Sequence, residues 1–164
     1  MPYRIAVLCY LFDADGRLLL LHRRKPPNLD LYSPVGGKLE QALGESPTQC
    51  AVREIHEEVG LTVAPESLHL TGIVSETAYL GQTHWLMFLY ELTHPVTVAE
   101  GTFDEGRLEW HPREAIGHLP IPETDRQIIW PLFWKYRRRF FMAHIDCTGP
   151  AMTWRVEQPG DHRP

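Results

Sequence analysis

The sequence predicts an α+β fold, a mixed sheet sandwiched by helices, and three observations lead there. Apolar runs of strand length recur along the chain, among them Ile5–Phe12, Leu18–Leu21 and Trp85–Tyr90. Few stretches carry apolar residues at helical spacing, so strands and helices do not alternate as a βαβ array requires. The 164 residues, 43% hydrophobic and 23% charged, hold no repeat and no linker, so one domain over residues 1–157 is expected.

Arg4–Phe12 and Leu18–His22 are β-type runs joined by Asp13-Ala14-Asp15-Gly16, which reads as a hairpin. Residues Arg23–Pro34 read as loop, broken by Pro26-Pro27 and Asn28. Ser46-Pro47 is an N-cap followed by proline at the first helical position. Ala51, Val52, Ile55 and Val59 then recur at helical spacing and Gly60 stands just past the end, giving a helix over Pro47–Val59. Leu68–Val74 and His84–Leu92 read as strands. Leu108–Trp110 is a short strand leading into a small helix at Pro112–Gly117. A longer helix is expected from Glu123 to Arg138, kinked at Trp130-Pro131. Phe141, Ala143, Ile145 and Cys147 alternate, Thr148-Gly149-Pro150 turns the chain, and Met152, Trp154 and Val156 alternate again, which makes a C-terminal hairpin. Residues 158–164 read as a flexible tail.

Charge and composition exclude several functions. A net charge of −5 argues against long nucleic acid or an anionic membrane surface as partner. The one basic run, Lys135–Phe140, reads as a solvated face near a helix end. No apolar run approaches the roughly 20 residues of a membrane span, and the N-terminal stretch, cut by Asp13 and Asp15, reads as no secretion signal. Cys9, Cys50 and Cys147 form no CxxC pair, so a cytoplasmic protein is expected, monomeric or homodimeric. The nine histidines include no HExxH, so histidine-bound metal is not expected either.

The informative stretch is GGKLEQALGESPTQCAVREIHEEVGL, Gly36 to Leu61. On the predicted helix Glu54, Glu57 and Glu58 fall at i, i+3 and i+4, along one face. As a plain helix this is unfavourable. Like charges at these spacings repel by about 0.2–0.5 kcal/mol per pair. Negative charge in the last turn opposes the helix dipole by about 0.3–1 kcal/mol per group. Three glutamates alone fit a solvated acidic face, but a divalent cation would cancel both penalties. All-carboxylate donors select a hard ion, Mg²⁺ or Mn²⁺. Gly36-Gly37-Lys38, just before the helix, adds backbone able to approach an ion or phosphate closely, and a cation for it.

These residues resemble the Nudix hydrolase signature, G-x5-E-x7-R-E-U-x-E-E-x-G-U with U aliphatic. From Glu45 through Arg53-Glu54-Ile55-His56-Glu57-Glu58-Val59-Gly60-Leu61 the match is complete. At the front, Gly37 stands eight residues before Glu45 instead of six, so the loop Glu40–Gly44 is two residues longer than the pattern. The resemblance implies a Nudix-type α/β/α sandwich with a mixed central sheet, ending in a helix plus β-hairpin. It implies Glu57 and Glu58 as metal ligands and Glu54 as a further ligand or a base toward the attacking water. It also implies that Gly37 offers its carbonyl to the metal and that Arg53 pairs with Glu45 to hold the loop on the helix. A later-loop glutamate often joins the set, and Glu105 is that candidate, against a surface acid beside Asp104.

The activity implied is Mg²⁺-dependent hydrolysis of a nucleoside diphosphate linked to some group X. Arg23, Arg24 and Lys38 are phosphate candidates. The C-terminal stretch is similar to that of MutT-like enzymes that sanitise oxidised purine nucleotides. By that resemblance Glu123 or Asp125 reads the purine edge, and Ser33 stands where the closest 8-oxo-dGTP enzymes carry asparagine. Trp85, Tyr79, Phe88 and Trp130 are candidate stacking platforms, although aromatic residues in strands mostly pack. The expected reaction is a purine nucleoside triphosphate to monophosphate plus pyrophosphate. The alternatives are ADP-ribose or another dinucleotide as substrate, or a Nudix-like module that binds without cleaving.

Overall fold

β1 (Tyr3–Tyr10) and β2 (Leu18–Arg23) are apolar at consecutive rather than alternate positions because both faces of each are covered. Val7, Cys9 and Leu11 enter one core cluster and Tyr10 and Phe12 the other. Leu19 and Leu21 part from Leu18 and Leu20 in the same way. The computed structural model that shows this describes residues 1–26 and 28–160.

The expected hairpin of these two runs is corrected. Its turn forms, with the Gly16 N–H donating to the Asp13 carbonyl at 3.0 Å, but pairing stops at the Phe12–Leu18 bridge. β1 instead runs parallel beside β5 (Thr83–Leu92), and β2 lies in a second sheet. A two-stranded ribbon would leave apolar side chains uncovered on both strands, and separate sheets bury them.

The first sheet is five-stranded and mixed, in the order β1, β5, β4 (Leu68–Tyr79), β8 (Phe141–Asp146), β9 (Thr153–Gln158). β4 pairs antiparallel with β5 and parallel with β8, and β8–β9 is the expected C-terminal hairpin. The second sheet is antiparallel, in the order β3 (Tyr32–Pro34), β2, β7 (Gly106–His111), β6 (Gly101–Phe103). β3 falls in the stretch expected to be loop. Three residues ending in a proline are too short to register as a strand in sequence. Gln158, the first residue of the expected tail, still pairs with Met142, and 161–164 lie outside the described residues.

α1 (Pro47–Val59) has the expected bounds. Ser46 accepts from the Gln49 N–H and Gln49 answers the Ser46 N–H, so the cap is reciprocal. Its buried residues Cys50, Ala51 and Ile55 seat it on one core cluster. α2 (Arg113–Ile116) is one turn. The long C-terminal helix opens as a π turn at Asp125–Ile129 and continues as α3 (Trp130–Tyr136), with Pro131 in the first turn of α3. Because residues 125–129 before it are already helical, Pro131 removes one hydrogen bond from a continuous run, and the π turn stands directly ahead of it. Phe133 stacks on Tyr10 with centroids 3.8 Å apart, which fixes α3 on the face of the mixed sheet away from α1. No helix among the described residues is long and apolar enough to cross a membrane.

Candidate active site

Between the sheets and the start of the C-terminal helix lies a cavity of about 650 Å³. The loop between β3 and α1 forms its floor. Gly36 has φ +148°, and a Cβ there would sit 2.1 Å from the Val7 carbonyl oxygen, so only glycine lets the loop cross β1 this closely. A Cβ on Gly37 would stand 2.3 Å from the Glu54 carboxylate. The Gly37 carbonyl, expected to face a metal, accepts from the Val7 N–H at 2.9 Å.

Arg53 organises the acidic face. Its Nε and Nη2 donate to Glu45 Oε1 and Oε2 at 2.7 and 3.0 Å, the expected pairing in bidentate form. Its Nη1 donates to Glu54 at 2.8 Å and Glu57 at 3.1 Å, and its Nη2 also reaches the Lys38 carbonyl at 3.1 Å. The Arg53 hydrogen bonds hold the Glu45 carboxyl down at about 2. The two extra loop residues are absorbed by a 3₁₀ turn at Gln41–Leu43 with Leu43 in solvent, while the Glu40 N–H donates to Glu45 at 2.8 Å. The lengthened loop thus leaves the Glu45–Arg53 latch in place.

Glu58 turns inward, where its Oε2 accepts from the Gly36 N–H at 2.9 Å. Burial pushes its carboxyl up to about 8 against that hydrogen bond, and the charges of Glu54 and Glu105 push the same way. Burial also raises Glu54. Glu54, Glu57, Glu58 and Glu105 all line the cavity, as do Arg23, Lys38, Ser33 and Asp125. Among the described residues no three carboxylates, thiols or imidazoles stand together at ligating distance, because Glu54 and Glu57 are turned to Arg53.

Two expected substrate residues fall elsewhere. Arg24 does not line the cavity, although its N–H donates to the Glu105 carbonyl at 3.0 Å. Glu123 is exposed and accepts from Gln127, its helical neighbour. Of the aromatic candidates, Tyr79 and Trp85 line the cavity, with the Arg4 guanidinium 6.0 Å from the Trp85 ring. Phe88 and Trp130 pack in the two cores.

One residue escaped the sequence reading. Glu76, on β4, lines the cavity and is only 2% exposed. It accepts a hydrogen bond from Thr124 and a weak one from the Cys147 thiol, Sγ to Oε1 3.8 Å. Burial pushes its carboxyl up to about 7, and burial together with the Glu76 charge brings Asp125 to about 7 as well. The available signal was an acid in step with Val74 and Ala78, both on the buried face of the strand.

Residues 2–130 match the NUDIX domain family. Over 131 residues the chain is 28% identical to the uncharacterized Nudix hydrolase YvcI of Bacillus subtilis (strain 168), covering 79% of each. Over 69 residues it is 41% identical to dihydroneopterin triphosphate diphosphatase of Escherichia coli (strain K12), 42% of this chain and 43% of that one. Among solved structures, the MutT protein from Bacillus halodurans superposes with a TM-score of 0.73 at 25% identity, over 95% of this chain and 99% of that one.

Proposed function

The chain belongs to the Nudix family and is a Nudix hydrolase, and from that premise we propose that it hydrolyses a purine nucleoside triphosphate, oxidised guanine nucleotides included, to the monophosphate and pyrophosphate. The observation that carries this reading is that buried Glu76 and half-buried Asp125 line the same cavity as Glu54, Glu57 and Glu58. A carboxylate in a dry site binds adjacent N–H donors, and the N1–H and 2-amino group of guanine present two on one edge. The dihydroneopterin triphosphate diphosphatase relative supports a triphosphate substrate.

Nudix hydrolases generally use divalent metal ions, and the donors here fit one. They are all oxygen, and the carboxylates of Glu54, Glu57, Glu58 and Glu105 line one cavity, with Glu54 and Glu57 having to turn from Arg53 to meet an ion there. Glu57, Glu58 and Glu105 would hold Mg²⁺ or Mn²⁺, which when bound withdraws charge from the phosphoryl oxygens and acidifies water.

The chain's own residues do the rest. Arg23 and Lys38 neutralise the phosphates at the cavity wall. Trp85 and Tyr79 offer faces for the ring, and Ser33 a hydroxyl. Arg53, fixed by Glu45, sets where Glu54 and Glu57 stand. The Gly36 N–H orients Glu58. Glu54, against Gly37 on the floor, accepts the proton of the attacking water.

The test compares kcat/KM for dGTP, 8-oxo-dGTP and dATP in the wild type, Glu76→Gln and Asp125→Asn. Losing a hydrogen bond to a charged group should cost the guanine-type substrates about 10- to 100-fold and leave dATP little changed. Equal losses on all three, or a wild type that prefers dATP, would overturn the assignment.

A further inference from the structure

Pairing across the first sheet sets three side chains in one row on the cavity face. Arg4 on β1 is the register partner of Trp85 on β5, and Trp85 is the partner of Glu76 on β4. Partners in register share a face of the sheet, and all three residues line the cavity. Neighbouring strands stand about 4.8 Å apart, so the row spans roughly 10 Å from Glu76 to Arg4, with the indole between them.

The two ends of the row differ. Glu76 is buried and hydrogen-bonded. Arg4 is exposed, and among the described residues no carboxylate pairs with its guanidinium, which lies 6.0 Å from the centre of the Trp85 ring. The phosphate end of the cavity belongs to the next row. Lys38 bridges Ala6, and the Gly37 carbonyl accepts from the Val7 N–H, so the acidic face meets β1 roughly 7 Å along the strand from Arg4.

A guanine laid over Trp85 with its N1–H and 2-amino edge on Glu76 lies along the first row. C8 is the opposite end of the purine's long axis, so it points at Arg4. In guanine that position is a C–H, which offers a cation nothing to bind. In 8-oxoguanine it is a carbonyl oxygen, and a guanidinium carries N–H donors and no acceptor.

We propose that Arg4 is the specificity residue for base oxidation, its guanidinium donating to the C8 carbonyl oxygen of an 8-oxoguanine stacked on Trp85. The cavity thereby prefers the oxidised nucleotide to the ordinary one. This rests on the reading that Glu76 holds the guanine edge.

The test is kcat/KM for 8-oxo-dGTP and dGTP in the wild type, Arg4→Met and Arg4→Lys. The wild type should prefer 8-oxo-dGTP. Arg4→Met keeps an apolar stem beside Trp85 and removes the donors. It should lose about 10- to 100-fold on 8-oxo-dGTP, as for a hydrogen bond to a charged group, and no more than about twofold on dGTP. Arg4→Lys keeps a charged donor without the planar fork and should recover part of the preference. Equal losses on both substrates would make Arg4 a sugar or phosphate ligand, and no loss would make it a surface cation; either result overturns the proposal. A wild type that cleaves both equally also overturns it and leaves the guanine reading standing. A wild type inactive on every guanine nucleotide overturns the guanine reading itself, and the proposal with it.

Discussion

Glu76 makes a prediction that joins the fold to the cavity. Its carboxyl titrates near 7 in the folded chain against 4.5 for an ordinary glutamate. A group that holds its proton more tightly when folded contributes stability that is fully present below pH 4.5 and is lost as pH rises through 7. At about 1.36 kcal/mol per unit, the full loss is about 3 kcal/mol, and about 2.5 kcal/mol of it falls between pH 5 and pH 8. Little solvent screening reduces this, since the residue is 2% exposed. Glu76→Gln keeps the shape and removes the titration. Asp125, raised partly by the Glu76 charge, would also relax, which adds in the same direction. Urea unfolding followed by tryptophan fluorescence should show the wild type losing about 2.5 kcal/mol more than the variant between pH 5 and pH 8. A gap between the two proteins that stays constant across this range would refute the reasoning, because it would place Glu76 ionised at both ends.

The two floor glycines separate stability from turnover. Gly36→Ala drives a Cβ into the rigid Val7 carbonyl at positive φ and should cost about 2 kcal/mol or more in melting experiments, with loss of activity. Gly37→Ala meets only the flexible end of Glu54, so the melting temperature should hold while turnover falls. Glu45→Gln cuts the Arg53 latch. Because the Glu45 carboxyl is held down at about 2, its contribution is present above pH 4.5 and lost as pH falls through 2, so the variant's deficit of about 1–3 kcal/mol at pH 7 should vanish in acid unfolding curves. Millimolar Mg²⁺ should raise the melting temperature of the wild type and do so less for Glu58→Gln.

The helix was legible in the sequence because its signals are local, while its latch came from the resemblance to the Nudix signature. Ser46, Pro47 and Gly60 bracket α1, and Arg53 reaches Glu45, Glu54 and Glu57 from within one short stretch. The C-terminal hairpin was legible for the same reason, as alternation with a turn between. The partner of β1 was not, since a run buried on both faces pairs according to what covers it, and β5 lies some 80 residues away. Glu76 was missed because the strand legible in the sequence stopped at Val74, while β4 runs on to Tyr79. Arg24 and Glu123 had the right residue type and the wrong placement, which charge alone does not fix.

The most direct test of the central claim is a product-resolved hydrolysis assay of the wild-type chain on 8-oxo-dGTP, the ordinary dNTPs, ADP-ribose and diadenosine polyphosphates, with and without Mg²⁺. Mg²⁺-dependent release of pyrophosphate and a monophosphate is expected, fastest from guanine-type triphosphates, and none of it in Glu57→Gln. Two monophosphates from ADP-ribose with the triphosphates untouched would contradict it.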